Sequence, residues 1–166
     1  MRHATRLRHG AIYLIALLLT AVPLVTAITS WNDLPDQIAT RFSTDGTPVE
    51  SMSKALAVAS LFFAMLVFVA VAALFLNNKN TSALATGAMV GLEYFAMAFI
   101  SVVATGIFIA QAAAGPAAPS LQSVIYGCVG GVIVALTVAL LTWSGRRDDE
   151  RAADSNRQES HRGRTL

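Results

Sequence analysis

Glu93 is the residue of this sequence with the clearest potential for chemistry, because it is the one acidic or basic residue inside a long apolar run. Such an acid is costly in a membrane, and it either pairs with polar groups or serves a proton or ion pathway. Thr20 and Thr137, in the first and last apolar runs, lie at a matching predicted depth. We predict that they are its hydrogen-bond partners and that Glu93 joins helices structurally. Proton or ion coupling is the alternative.

The other reactive residue types predict no catalytic or metal site. Cys128 is the one cysteine and lies within the last apolar run, so we expect it to be a small packing residue. The histidines lie near the chain ends without metal-ligand spacing; they are His3, His9 and His161. No phosphate loop, dinucleotide fingerprint or nucleophile elbow occurs. We therefore predict a protein that is not an enzyme and that uses no cofactor, metal or nucleic acid.

Four long apolar runs dominate the chain, which is 55% hydrophobic and only 13% charged. A soluble domain carries about 25% charged residues. The runs cover residues 11–28, 55–76, 83–110 and 121–143. About 20 apolar residues in a helix cross a bilayer core, and the runs lack the period-two alternation of barrel strands. We predict an all-α polytopic membrane protein whose four transmembrane helices lie within residues 11–143.

Charge predicts the orientation, because Lys and Arg accumulate on the cytoplasmic side. Residues 1–10 carry three arginines and no acid, and the polar segment 144–166 carries six arginines. We predict a bacterial plasma-membrane protein with both ends in the cytoplasm and with residues 144–166 as a disordered tail. A cleaved signal peptide at the N-terminus is the alternative for the first run.

Small residues in the apolar runs predict close helix packing. Gly87 and Gly91 are four residues apart, and so are Gly127 and Gly131. The two pairs lie at different predicted depths, so we expect that they do not pack on each other. Gly106 lies at the depth of Gly127 and is predicted to face it.

The segment 31–54, predicted to be an outer loop, holds most of the charge between the first and last runs. Its residues Leu34, Ile38 and Phe42 are spaced by four, as on one face of a helix, and Pro35 suits a first helical turn. We predict a short amphipathic helix here, followed by a turn over residues 44–48. Ser51 or Ser53 is a candidate cap for the second span.

Residues 34–54 resemble the motif of a bacterial membrane family called domain of unknown function 1648, which is related to SdpI-type toxin-immunity proteins. The matching residues are Leu34, Pro35, Asp36, Ile38, Thr40, Phe42, Gly46, Pro48, Ser53 and Lys54. Arg41 stands where the family usually has His. The resemblance implies a membrane protein whose outer loop binds or senses a partner, such as a toxin-like peptide, another membrane protein or lipid headgroups. A small transporter or transporter subunit that uses Glu93 as its ion-coupled group is the alternative.

Overall fold

The computed structural model describes residues 2–78, 81–115 and 121–162, which form four helices and one β-hairpin. In chain order the elements are α1 (Arg2–Thr29), β1 (Gln37–Phe42), β2 (Pro48–Ser53), α2 (Lys54–Asn77), α3 (Ala83–Ala114) and α4 (Leu121–Arg162). Each helix contains a segment long and apolar enough to cross a membrane; these are Gly10–Thr29, Lys54–Asn77, Ala83–Ala114 and Gln122–Gly145. The prediction of a polytopic protein with four transmembrane helices is confirmed.

The helix α3 lies at the centre of the bundle and packs most extensively on α4. Its buried side chains Val90, Tyr94 and Met97 form a core with residues of the other helices. The Tyr94 hydroxyl donates a 2.9 Å hydrogen bond to the backbone oxygen of Ile12 in α1. Large apolar side chains elsewhere, such as Phe63, point outward. This arrangement suits a bilayer, where lipid tails solvate the apolar exterior.

Glycines set the close approach of α3 and α4. A Cβ built on Gly91 would lie 3.0 Å from the Ala135 oxygen and 3.0 Å from the Ala139 Cβ, and one built on Gly87 would lie 3.0 Å from the Ala139 oxygen. Both glycines therefore allow the two backbones to meet directly.

The second glycine pair contacts aromatic rings as well as backbone oxygens of α3. Phe95 packs against Gly131 and Phe99 against Gly127, and the two rings stack with centroids 6.3 Å apart. Gly106 does not face Gly127. It faces Ser123, one helical turn away, at 2.8 Å from a built Cβ to the Ser123 Oγ.

The helix α4 continues past its membrane segment to Arg162, where the sequence predicted a disordered tail over residues 144–166. A helix that is already formed extends without a new nucleation cost, and Arg, Glu, Gln and Ala in this segment are good helix formers. A polar composition argues against a buried core but does not exclude a helix; residues 163–166 of the predicted tail lie outside the described residues.

The predicted amphipathic helix over residues 34–42 is wrong, because residues 37–42 form strand β1. β1 pairs with β2 in antiparallel register, with Ile38 opposite Met52 and Phe42 opposite Pro48. A spacing of four is also a multiple of two, so Leu34, Ile38 and Phe42 fit one face of an extended chain equally well. β-Branched and aromatic residues then favour the strand, and Gly46, at φ 84°, closes the turn.

Candidate functional site

The base of the hairpin is built into the helix bundle. Leu34 and Ile38 are buried with Ala27 of α1, Ala57 of α2 and Phe108 of α3, and only 1% of Ile38 is exposed. Burial of such side chains contributes roughly 1.5–3 kcal/mol each. Two residues of the family motif therefore fix the hairpin to three helices.

Gln111 clamps the hairpin to the last turn of α3. The backbone N–H of Ala39 donates to Gln111 Oε1 at 3.1 Å, and Gln111 Nε2 donates to the Ala39 oxygen at 2.9 Å. Both residues are buried. The side-chain amide thus takes the place of a neighbouring strand on the edge of β1 that faces away from β2.

Sequence reasoning missed Gln111, although one signal was available. It is an uncharged polar residue among alanines at the hairpin end of the third apolar run. A polar side chain at such a place needs a hydrogen-bond partner, and the neighbouring polar segment was the nearest source of one.

Lys54 joins the two ends of the hairpin segment. Its Nζ lies 3.2 Å from Asp36 Oδ1, and 5.3 Å from the centre of the Trp31 ring. Its backbone N–H donates to the Asp36 oxygen at 3.0 Å. Next to it, the Ser53 hydroxyl accepts a 3.4 Å hydrogen bond from the N–H of Leu56 and caps α2. The motif residues Asp36, Ser53 and Lys54 therefore join the strands to the second span.

The turn of the hairpin is organised by Asp45. Its carboxylate accepts hydrogen bonds from the Ser43 hydroxyl, from the Thr47 backbone N–H at 3.1 Å and from the Thr47 hydroxyl at 2.8 Å. These donors, with Ser43 first, lower the pKa of Asp45 to about 2. The turn therefore presents a permanent negative charge at neutral pH.

The strands differ in exposure. In β1, Ile38 and Ala39 are buried, whereas every residue of β2 except Met52 is exposed. Val49 is 58% exposed. Arg41, at the position of the family's His, forms a 2.9 Å ion pair with Glu50; such an exposed pair contributes about 0–1 kcal/mol. Thus β1 is the docked strand and β2 the displayed strand.

Other motif residues shape the approach to the hairpin. Pro35 is half-buried in the segment before β1, and Thr40 is exposed in β1. Phe42 and Pro48 face each other where the strands meet the turn. Together with the contacts above, these placements give all the motif positions a part in building the hairpin.

The structure does not bring Glu93 together with its predicted partners. The Thr20 hydroxyl donates to Ala16 in its own helix, and the Thr137 hydroxyl donates to Ile133 in its own helix. Glu93 lies two residues, or about 200°, from Gly91, which faces α4. The half-buried Glu93 therefore points away from Thr137. The sequence predicted that Glu93 and the two threonines lie at the same depth in the membrane. It did not predict which face of α3 carries Glu93.

No group of three metal-binding side chains occurs among residues 2–78, 81–115 and 121–162. Cys128, expected to pack within the bundle, is exposed on α4. The candidate functional site in the described part of the chain is therefore the hairpin that Gln111 holds.

Comparison with known proteins adds one result. No curated protein and no solved structure matches the chain. Residues 18–67 match a family model described as Domain of unknown function (DUF1648). The match runs from the middle of α1 through the hairpin into α2, so it covers the docked and displayed strands. Over residues 18–67 the chain is therefore similar to the family Domain of unknown function (DUF1648).

Proposed function

We propose that this protein is a non-enzymatic membrane protein that displays a fixed β-hairpin as a binding surface for a peptide or protein partner. The observation that carries the proposal is the contrast between the strands. Ile38 and Ala39 of β1 are buried, and Gln111 holds Ala39, whereas β2 is exposed over most of its length. A surface held in place before binding loses less conformational entropy when its partner binds.

The charge distribution supports an orientation with the hairpin outside the bacterial plasma membrane. Arginines near the two chain ends lie at the far end of the bundle from the hairpin. At the hairpin end, Arg41 pairs with Glu50 and Lys54 with Asp36. Uncompensated basic charge favours the cytoplasmic side, so both chain ends are assigned there.

The displayed strand suits a partner that binds as an additional strand. Among the described residues, β2 pairs with β1 alone, and Gln111 already occupies the other edge of β1 at Ala39. An extended peptide can add to a strand edge through backbone hydrogen bonds. The resemblance to SdpI-type proteins favours immunity against a toxin-like peptide, or signalling, as the biological role.

A photo-crosslinking amino acid at Ser51, in the displayed strand, tests the proposal in cells. We expect an adduct of discrete mass at Ser51 and none at Phe63, which is also exposed but lies on the apolar exterior of α2. For the immunity role, loss of the protein should sensitise cells to a secreted peptide that forms this adduct. The binding proposal fails if Ser51 gives no adduct under conditions in which deletion of the gene has an effect.

Glu93 supports a second candidate, a small transporter or transporter subunit. Among the described residues, its carboxylate makes no hydrogen bond or ion pair, although it lies in a membrane segment. An intramembrane acid of this kind can carry protons or cations. Glu93→Gln distinguishes the candidates: loss of the deletion-complementing activity with normal folding favours transport, and retained activity favours the hairpin as the functional element.

A further inference from the structure

A cavity lies beneath the hairpin, between α2 and α3. It is an open cavity of about 410 Å³, here called the roofed groove. Leu61 and Ala64 of α2 and Ala104 and Ile107 of α3 form its walls, and Ile38 and Met52 of the hairpin form its roof. These walls belong to segments that cross the membrane.

The lining of the roofed groove is mostly apolar; the hydroxyls in it belong to Thr40 of β1 and Ser60 of α2, and that of Ser60 is already hydrogen-bonded. Ser60 donates to the Ala57 oxygen at 2.9 Å and lies 4.0 Å from the Met52 sulfur. A polar ligand would lose most of its hydrogen bonds to water here without replacement. The complementary ligand is therefore a hydrocarbon.

The depth of the roofed groove in the membrane indicates that this hydrocarbon is the acyl chain of a lipid. Its wall on α2 begins at Ala57, three residues after the start of the span, and extends to Ala64. Seven residues of helix cover about 10 Å, which is most of one leaflet of a hydrocarbon core about 30 Å thick. An acyl chain that descends from the headgroups of this leaflet passes at the same depth.

From these observations we propose that the roofed groove binds one acyl chain of a phospholipid in the leaflet beneath the hairpin. The site recognises the chain rather than the headgroup, because Arg41 and Lys54, the basic residues of the hairpin segment, are each paired with an acid. The site is independent of the partner proposed for the displayed strand. Its roof is preformed, because Gln111 and the buried base hold the hairpin above α2 and α3.

A second groove provides an internal comparison. It lies along the seam of α3 and α4, has a volume of about 320 Å³, and is lined by residues such as Leu92, Phe95, Val132 and Leu136. No residue of the hairpin covers it. Lipid tails that merely solvate the protein should enter it as readily as the roofed groove.

The test uses the full chain in nanodiscs that contain a phosphatidylcholine with a photoreactive diazirine on its acyl chain. We expect adducts on Leu61, Ala64 and Ile107 at several-fold higher yield than on Leu92 and Val132 of the second groove. Phosphatidylglycerol carrying the same chain should label equally. Equal labelling of the two grooves, or a strong preference for the anionic lipid, would overturn the proposal.

Ala64→Phe should fill the groove and abolish the adducts on Ile107. The matched control is Ala70→Phe, the same substitution at an exposed position on the same helix, which should leave them unchanged. Ala104→Leu fills the groove from the opposite wall and replaces the first variant if that fails to fold. Persistent Ile107 adducts in a folded, filled variant contradict the proposal.

Discussion

The side-chain amide of Gln111 forms two hydrogen bonds with the backbone of Ala39, at 3.1 and 2.9 Å, across 72 residues of sequence. Both partners are almost inaccessible to solvent. A buried backbone N–H and carbonyl are costly to leave unpaired. This clamp makes the hairpin a part of the bundle and gives the displayed strand a fixed position.

Replacement of Gln111 by Leu should release the hairpin. The change leaves the N–H and the carbonyl of Ala39 without partners, at about 1–3 kcal/mol for each group that stays buried. We expect faster hydrogen exchange at Ala39 and faster proteolysis between residues 37 and 53. Gln122→Leu is the control, because Gln122 is exposed and its side chain, among the described residues, donates a hydrogen bond to Tyr126 on its own helix. Equal protection of Ala39 in Gln111→Leu and in the unaltered protein would refute the clamp.

Replacement of Ile38 by Asp should also loosen the hairpin. The substitution removes an apolar contact worth roughly 1.5–3 kcal/mol and places a carboxylate where only 1% of the side chain is exposed. Limited proteolysis of the protein in lipid should show cleavage in the hairpin. Val49→Asp introduces the same charge on the displayed strand and should leave cleavage unchanged; similar sensitivity of the two variants would argue against docking through Ile38.

Gly91→Ala should destabilise the seam between α3 and α4. The new Cβ would lie 3.0 Å from the Ala135 oxygen, which is backbone and cannot move alone. Overpacking of this kind costs about 1–3 kcal/mol, and thermal unfolding in detergent should show a lower midpoint. Gly130→Ala is the matched control, because nothing lies within 4 Å of its built Cβ. If Gly91→Ala and Gly130→Ala lower the unfolding midpoint equally, close packing between α3 and α4 is not the cause of the destabilisation.

The turn at Asp45 should lose its order in strong acid. The folded-state pKa is about 2, against an ordinary value of 3.8. A depressed carboxylate pKa means that its stabilisation is complete above the ordinary value and is lost as pH falls through about 2. A carbon-detected NMR titration of the Asp45 carboxyl should give the low pKa, and Ser43→Ala should raise it. An unchanged pKa in Ser43→Ala would show that the Ser43 hydroxyl is not the main cause.

The four spans could be predicted because length and apolarity alone determine them. The hairpin could not, because Leu34, Ile38 and Phe42 are spaced by four, and this spacing satisfies both a helix and a strand. The segment forms a strand because it pairs with β2. Such pairing is a contact between two segments, and the periodicity of one segment does not predict it.

The sequence also could not predict the hydrogen-bond partner of Gln111 or the face of α3 on which Glu93 lies. Gln111 meets Ala39 only because α3 and β1 are brought together by the fold. Glu93 points away from α4 because Gly91 turns the opposite face of α3 toward that helix. Depth along a span follows from counting residues, whereas rotation about its axis depends on packing.

Labelling of single cysteines in intact cells tests the display of the hairpin outside the membrane most directly. In a Cys128→Ala background, Ser51→Cys places a thiol on the displayed strand, and Asn78→Cys places one at the opposite end of the bundle. We expect that a membrane-impermeant maleimide modifies Ser51→Cys in intact cells and modifies Asn78→Cys only after permeabilisation. Modification of Asn78→Cys in intact cells, with Ser51→Cys protected, would contradict it.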